Sequence, residues 1–280
     1  MSTLTATLVR AAADGSAVVA LGLAVVPMLD IDRYRGELIR RAGGPLTIAG
    51  AVWLIAELVR LGVAAAQAAA IPLSRLSVHT AVDFALHTTS GRIGVFSTVA
   101  AALVGVTVVA APRSVSTRVA VAGFAAAGVA ARSLTGHLSE SALGGMAVAV
   151  HTMAAALWCG ALAALVLTVE HRGQWARVLP RFSQLSLACV AALLVGGVLG
   201  AVVALGSPSQ LYATGYGRLL SAKVVVTVLL VLLAYRNRTM WLPAARAHRT
   251  TAVVSRSRAL CELAMMGVAL TLAAALAVTG

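Results

Sequence analysis

Residues Gly145–Val169 read GMAVAVHTMAAALWCGALAALVLTV, 25 positions without one Asp, Glu, Lys or Arg. At about 1.5 Å of rise per residue, such a run makes a helix long enough to cross the ~30 Å hydrocarbon core of a bilayer. Apolar runs of similar length recur at Leu4–Leu29, Gly44–Ala69, Ile93–Ala111, Arg118–Thr135, Phe182–Leu205, Leu219–Tyr235 and Ala259–Val278, with the charges gathered in short clusters between them. The expected fold is therefore all-α: an integral membrane bundle of about eight transmembrane helices. The first run extends to Leu29 without a small-residue cleavage site, so it reads as a span and not as a cleaved signal.

Composition agrees. The chain has 280 residues, 60% hydrophobic and only 11% charged, with a mean hydropathy of +0.93. A soluble domain needs roughly a quarter charged residues to face water, so that class is excluded. The formal net charge of +13 does not indicate nucleic-acid binding, because no basic stretch has the aromatic interleaving of a strand-binding surface. Instead the basic residues sort by connection. Arg33, Arg35, Arg40, Arg41, Arg113, Arg118, Arg172, Arg177, Arg181, Arg236, Arg238, Arg246, Arg249, Arg256 and Arg258 fall after the odd-numbered spans. Only Arg10, Arg60, Arg75, Arg92, Arg132, Arg218 and Lys223 lie elsewhere. The positive-inside rule places the first group in the cytoplasm and both termini outside, on the periplasmic side. Connections are short, so consecutive helices are expected to be antiparallel neighbours. Gly196 and Gly200 form a Gly-x-x-x-Gly pair suited to close helix approach.

Polar residues inside membrane spans are costly and are candidates for function. His171 and His248 sit in arginine-rich connections and read as solvated. His79, His87, His137 and His151, with Asp83, Glu140, Glu57 and Arg60, all map to the outer half. From Ser77, an N-cap residue, a short helix is expected to carry His79, Asp83 and His87 at i, i+4 and i+8 on one face. Adjacent pairs can chelate a metal. His79 and His87 are about 12 Å apart along the axis, too far to share one ion readily. The competing reading is an amphipathic surface helix with Leu76, Phe84 and Leu86 towards lipid.

His151 lies about 9 Å into the fifth span and needs a hydrogen bond, a metal or a haem iron there. Trp158 shares its face, while Met146 and Met153 point elsewhere. Glu57 and Arg60, at i and i+3, read as a structural ion pair or as a proton or cation relay. Cys159, Cys189 and Cys261 lack metal or redox spacing and read as packing residues. Imidazole ligands at an oxidising face, with thioether and thiolate groups in the spans, suit copper, while zinc and haem iron remain open.

One ordered series of motifs goes further. His151-Thr152-Met153-Ala154-Ala155-Ala156-Leu157-Trp158-Cys159-Gly160-Ala161-Leu162 is followed by Arg181-Phe182-Ser183 and then by Tyr212-Ala213-Thr214-Gly215-Tyr216-Gly217-Arg218-Leu219-Leu220-Ser221-Ala222-Lys223. Arg236-Asn237-Arg238 with Pro243 closes the series, and Thr135-Gly136-His137 precedes it. These segments resemble the H-x-x-a-a-a-L-W-x-G-g-L, RFS, T-x-Y-G-R-L-L-x-K, N-R…L-P and S/T-G-H motifs of the CopD copper-resistance family. The first half agrees in helix count and in Ser90-Gly91-Arg92, and Cys159 stands where the family has an aliphatic residue.

The resemblance implies a single CopD-like membrane domain over 1–280, motif-bearing at about 135–243, either free-standing or part of a fusion with an oxidase-assembly domain. It implies a multi-pass protein of the bacterial inner membrane, surrounded by lipid, for copper transport, uptake or tolerance. His137 and His151 match family histidines. With His87, His79, Asp83 and Glu140 they form the candidate metal set. Implied partners are a periplasmic copper-binding protein or respiratory-oxidase assembly factors, with no nucleic acid. Two other readings stand: a membrane subunit assisting copper delivery to an oxidase, and a haem b electron-transfer protein with reductase activity. No enzymatic activity is expected on the first two readings.

Overall fold

The computed structural model describes residues 3–111, 113–133, 142–204 and 215–279. Among these residues the chain is helical, with no strand. The helices are α1 (Thr3–Val25), α2 (Asp32–Ala68), α3 (Val78–His87), α4 (Thr89–Ala110), α5 (Val115–Ser133), α6 (Ala142–Thr168), α7 (Arg172–Ala204), α8 (Gly215–Arg236), the short α9 (Leu242–Arg246) and α10 (Ala252–Thr279). A 3₁₀ turn, Val26–Leu29, ends α1, and a π turn, Asn237–Trp241, joins α8 to α9.

Each long apolar run lies on its own helix. Among the described residues six segments are long and apolar enough to cross a membrane, on α1, α2, α4, α6 and α7 and on α8 with its continuation to Arg246. The remaining two long helices are α5, which carries Arg118 and Arg132, and α10, which carries Arg256, Arg258 and Glu262. The protein is an all-α membrane protein.

Two helices begin earlier than the apolar pattern suggests. Helix α2 starts at Asp32, 12 residues before Gly44, so Arg33, Arg35, Arg40 and Arg41 lie on helical turns and not in a loop. Helix α7 starts at Arg172 and continues through Pro180. Both extensions are tied together. Asp30, fully buried, accepts from Arg177 Nε at 3.1 Å and Nη2 at 3.3 Å. The Arg177 guanidinium stacks 4.1 Å from the Tyr34 ring centroid. Arg41 pairs with Glu170 at 2.7 Å, and Gln174 donates to Glu37 at 3.0 Å. Charges that hydrogen-bond one another let these turns remain helical where the apolar pattern has stopped.

Helix α1 is the hub, packing on α2, α5 and α6. Its crossing with α6 has no room for side chains: a Cβ on Gly22 would run into the backbone carbonyl of Gly160, and a Cβ on Gly160 into that of Val18. Helices α2, α4 and α5 form one side of the hub, where a Cβ on Gly128 would strike the Trp53 ring. Helices α6 and α7 form the other, with α10 against both. Helix α8 packs chiefly on α10. Its Val224, Val225, Val228, Leu229 and Leu232 are exposed, as lipid-facing residues are.

Candidate metal-handling site

The candidate residues occupy two separate places. The first is α3, between α2 and α4. Ser77 caps it by accepting from the Thr80 N–H at 3.1 Å, so the expected helix and cap are both present. Asp83 stands between the two histidines, its carboxylate 3.4 Å from His79 Nδ1 and 3.5 Å from His87 Nδ1. All three side chains are exposed, His79 most of all at 88%. Asp83 and His87 also border an open groove of about 420 Å³ beside the C-terminal end of α2.

The second place is the α6–α7 contact around His151. Its Nδ1 lies 3.1 Å from the backbone carbonyl of Leu193 on α7. A carbonyl can only accept, so Nδ1 carries the proton and Nε2 keeps its lone pair in the neutral ring. This carbonyl-anchored arrangement is the one that metal-ligating histidines adopt. Gly196 lets α7 approach α6 closely at this point: a Cβ there would come 3.0 Å from the Ala147 carbonyl oxygen and 3.1 Å from His151 Cβ. The first glycine of the Gly-x-x-x-Gly pair therefore serves this approach.

His151 is on the opposite side of the hub from α3, so the structure does not bring it to His79, Asp83 or His87. His137 and Glu140 lie outside the described residues. Among the described residues no three His, Cys, Asp or Glu side chains converge in a manner that would hold a metal ion.

Trp158, two turns along α6 from His151, leads to a group the apolar pattern hid. Its Nε1 donates to Glu262 Oε1 at 3.1 Å, and Asn237 Nδ2 donates to Oε2 at 2.7 Å. Glu262 is 2% exposed and, among the described residues, pairs with no cation. A carboxylate four positions into the apolar run that begins at Ala259 is the signal that marks it. Arg238, next to Asn237, donates to the carbonyl of Ser183 at 3.1 Å and to its Oγ at 2.9 Å. Arg181 donates to the carbonyl of Asp30 at 2.6 Å. The Arg-Phe-Ser, Asn-Arg and Leu-Trp segments thus interlock through polar contacts. The π turn that offers Asn237 is the kind of helix irregularity often found at functional sites.

Glu57 is a further buried carboxylate, 1% exposed, at the far end of α2. Its main partner is Arg132 of α5, which meets both carboxylate oxygens, and Ser97 Oγ of α4 donates to it at 2.8 Å. Arg60 is 3.9 Å away and turns to Asp14 of α1 at 2.8 Å. The expected i, i+3 pair is part of a wider network that joins four helices.

Residues 1–146 match the family described as copper resistance protein D-like, N-terminal domain, and residues 176–277 match copper resistance protein D. The chain belongs to the copper resistance protein D family. The interval between the two matched stretches contains His151 and Trp158. Among curated proteins, the inner membrane protein YebZ of Escherichia coli (strain K12) is 32% identical over 103 residues, 35% of this chain and 35% of that protein. The match thus spans about a third of that relative's length. No solved structure matches. Family membership and the membrane-length apolar helices make this copper resistance protein D family member a multi-pass membrane protein.

Proposed function

We propose that this protein moves copper through the membrane, taking the ion up at the outer face with histidine ligands and passing it inward between helices. The observation that carries the reading is His151: a histidine inside a membrane helix pair, its Nδ1 tied to Leu193 and its Nε2 free for a metal. Copper is here the cargo. Our reading has eight spans and both termini outside, as the arginine bias requires, in one membrane unit that performs no catalytic step. Asp83 with His79 or His87 supplies an exposed first contact on α3, and His137 and Glu140 complete the outer set. Purified protein and cells carrying wild type or His151→Ala test this by bound copper and cellular copper content. Lower values in the variant support transport, and equal values reject it.

Delivery of copper to a respiratory oxidase is the second reading, favoured by the buried Trp158–Glu262–Asn237 node, which suits a structural subunit as well as a conduit. Deletion would then lower oxidase activity at unchanged cell copper. A Soret band in the purified protein would instead support haem ligation by His151.

A further inference from the structure

Where α4 gives way to α5, the structure presents two arginines to one pocket whose described lining contains no acid. Arg118, on the first turn of α5, is 4% exposed. Its Nη2 donates to the carbonyl of Ile39 on α2 at 2.7 Å, while its Nη1 is buried without a hydrogen-bond partner among the described residues. Arg118 lines a pocket between α2, α4 and α5 together with Arg113, Thr117, Thr47 and Gly43. The second guanidinium lies against Gly43: a Cβ built there would sit 3.6 Å from Arg113 Nε. Both ionisable groups in the lining are arginines.

Two further features add positive potential. The pocket sits at the N-terminus of α5, the positive end of the helix dipole, where Ser114 Oγ accepts from the Thr117 N–H at 3.2 Å. Like charges gathered in a partly buried site repel unless an anion lies between them. A buried guanidinium N–H left unmet is costly, and a phosphate oxygen is the acceptor that planar guanidinium groups match best. On the orientation read from the arginine bias, this end of the bundle meets the membrane interface, where lipid phosphates lie.

We propose that this pocket binds a phosphate group, held by Arg118 Nη1 and the Arg113 guanidinium at the α5 N-terminus. The group can come from an anionic lipid headgroup or from free phosphate, and either would lock α5 to α2 at this end. The site is distinct from the histidines at the far end.

Full-length protein in nanodiscs separates the sources. One arm uses phosphatidylcholine discs with added inorganic phosphate, read by calorimetry. The other uses discs containing phosphatidylglycerol, read by lipid retained in native mass spectrometry. Arg113→Gln is the main variant, because Arg113 is exposed and its loss leaves the buried contact to Ile39 in place. Arg118→Lys, which keeps charge but loses the planar fork, is the second. Wild type should bind in at least one arm, and both variants should bind about tenfold more weakly, the loss of about one charge-assisted hydrogen bond. Binding only in the phosphatidylglycerol arm supports a lipid, and binding in the phosphate arm supports free phosphate. No binding by wild type in either arm overturns the proposal. So does equal binding by wild type and Arg113→Gln.

Discussion

Replacing Arg132 by Gln strands Glu57. That carboxylate is 1% exposed and would keep Ser97 as a hydrogen-bond donor at 2.8 Å and Arg60 at 3.9 Å. Breaking a buried ion pair from one side costs about 3–5 kcal/mol. The Arg132 side chain is 16% exposed and Arg60 stays near, so the lower end applies: about 3 kcal/mol for Arg132→Gln. Removing the charge as well, in Glu57→Gln/Arg132→Gln, leaves a neutral amide that Ser97 and Arg60 can still meet, and the total loss should fall to about 1 kcal/mol. The double variant is thus expected to be more stable than the single one. Unfolding by SDS in mixed micelles, followed by tryptophan fluorescence, reads this out, since Trp53 packs against Gly128 on the same helix as Arg132. If the double variant is less stable than Arg132→Gln, the pair is not a buried charge network and the reasoning fails.

Four other outcomes follow from the same geometry. Ala70 ends α2 with φ 53°, while the Ile71 N–H bonds the Ala66 carbonyl at 3.0 Å and the Ala70 N–H that of Gln67 at 3.1 Å. This is a Schellman ending with alanine where glycine belongs, so Ala70→Gly should stabilise by about 1 kcal/mol in the same assay. Gly160→Leu should disrupt the α1–α6 crossing and lower yield of folded protein, whereas Gly267→Ala, with nothing within 4 Å, should be neutral or slightly stabilising; similar losses in both would refute the close-approach argument. Trp158→Phe removes a donor from Glu262 and should cost about 1.5–3 kcal/mol, with a much smaller cost in a Glu262→Leu background. His79→Ala/His87→Ala should abolish copper(II) binding at α3, read by electron paramagnetic resonance, without loss of stability, because both rings are exposed.

The apolar runs were legible because length alone selects a membrane helix, and Gly145–Val169 needed nothing else. Ser77 with the His79, Asp83, His87 spacing was legible for a similar reason: cap and face are local properties of ten residues. Glu262 was not, since the partners that define it come from α6 and the π turn, 104 and 25 residues away. The early start of α2 was hidden because Arg33, Arg35, Arg40 and Arg41 look like a loop until Glu37, Glu170 and Asp30 are placed beside the helices that carry them. The second partner of Glu57 likewise required knowing that α5 returns to the far end of α2. Ligand convergence depends on such returns as well, and spacing could assign a face to His151 but not the carbonyl of Leu193 that fixes its ring.

The paired extensions of α2 and α7 carry a last consequence. Helix α2 has 37 residues and α7 has 33, about 55 Å and 50 Å of helix. Both exceed the ~30 Å of hydrocarbon, and both emerge at the same end. Cross-braced by Asp30, Glu37 and Glu170, their N-terminal turns form a stiff two-legged pedestal beyond the apolar runs. A soluble protein approaching that end would find there a fixed pattern of guanidinium groups.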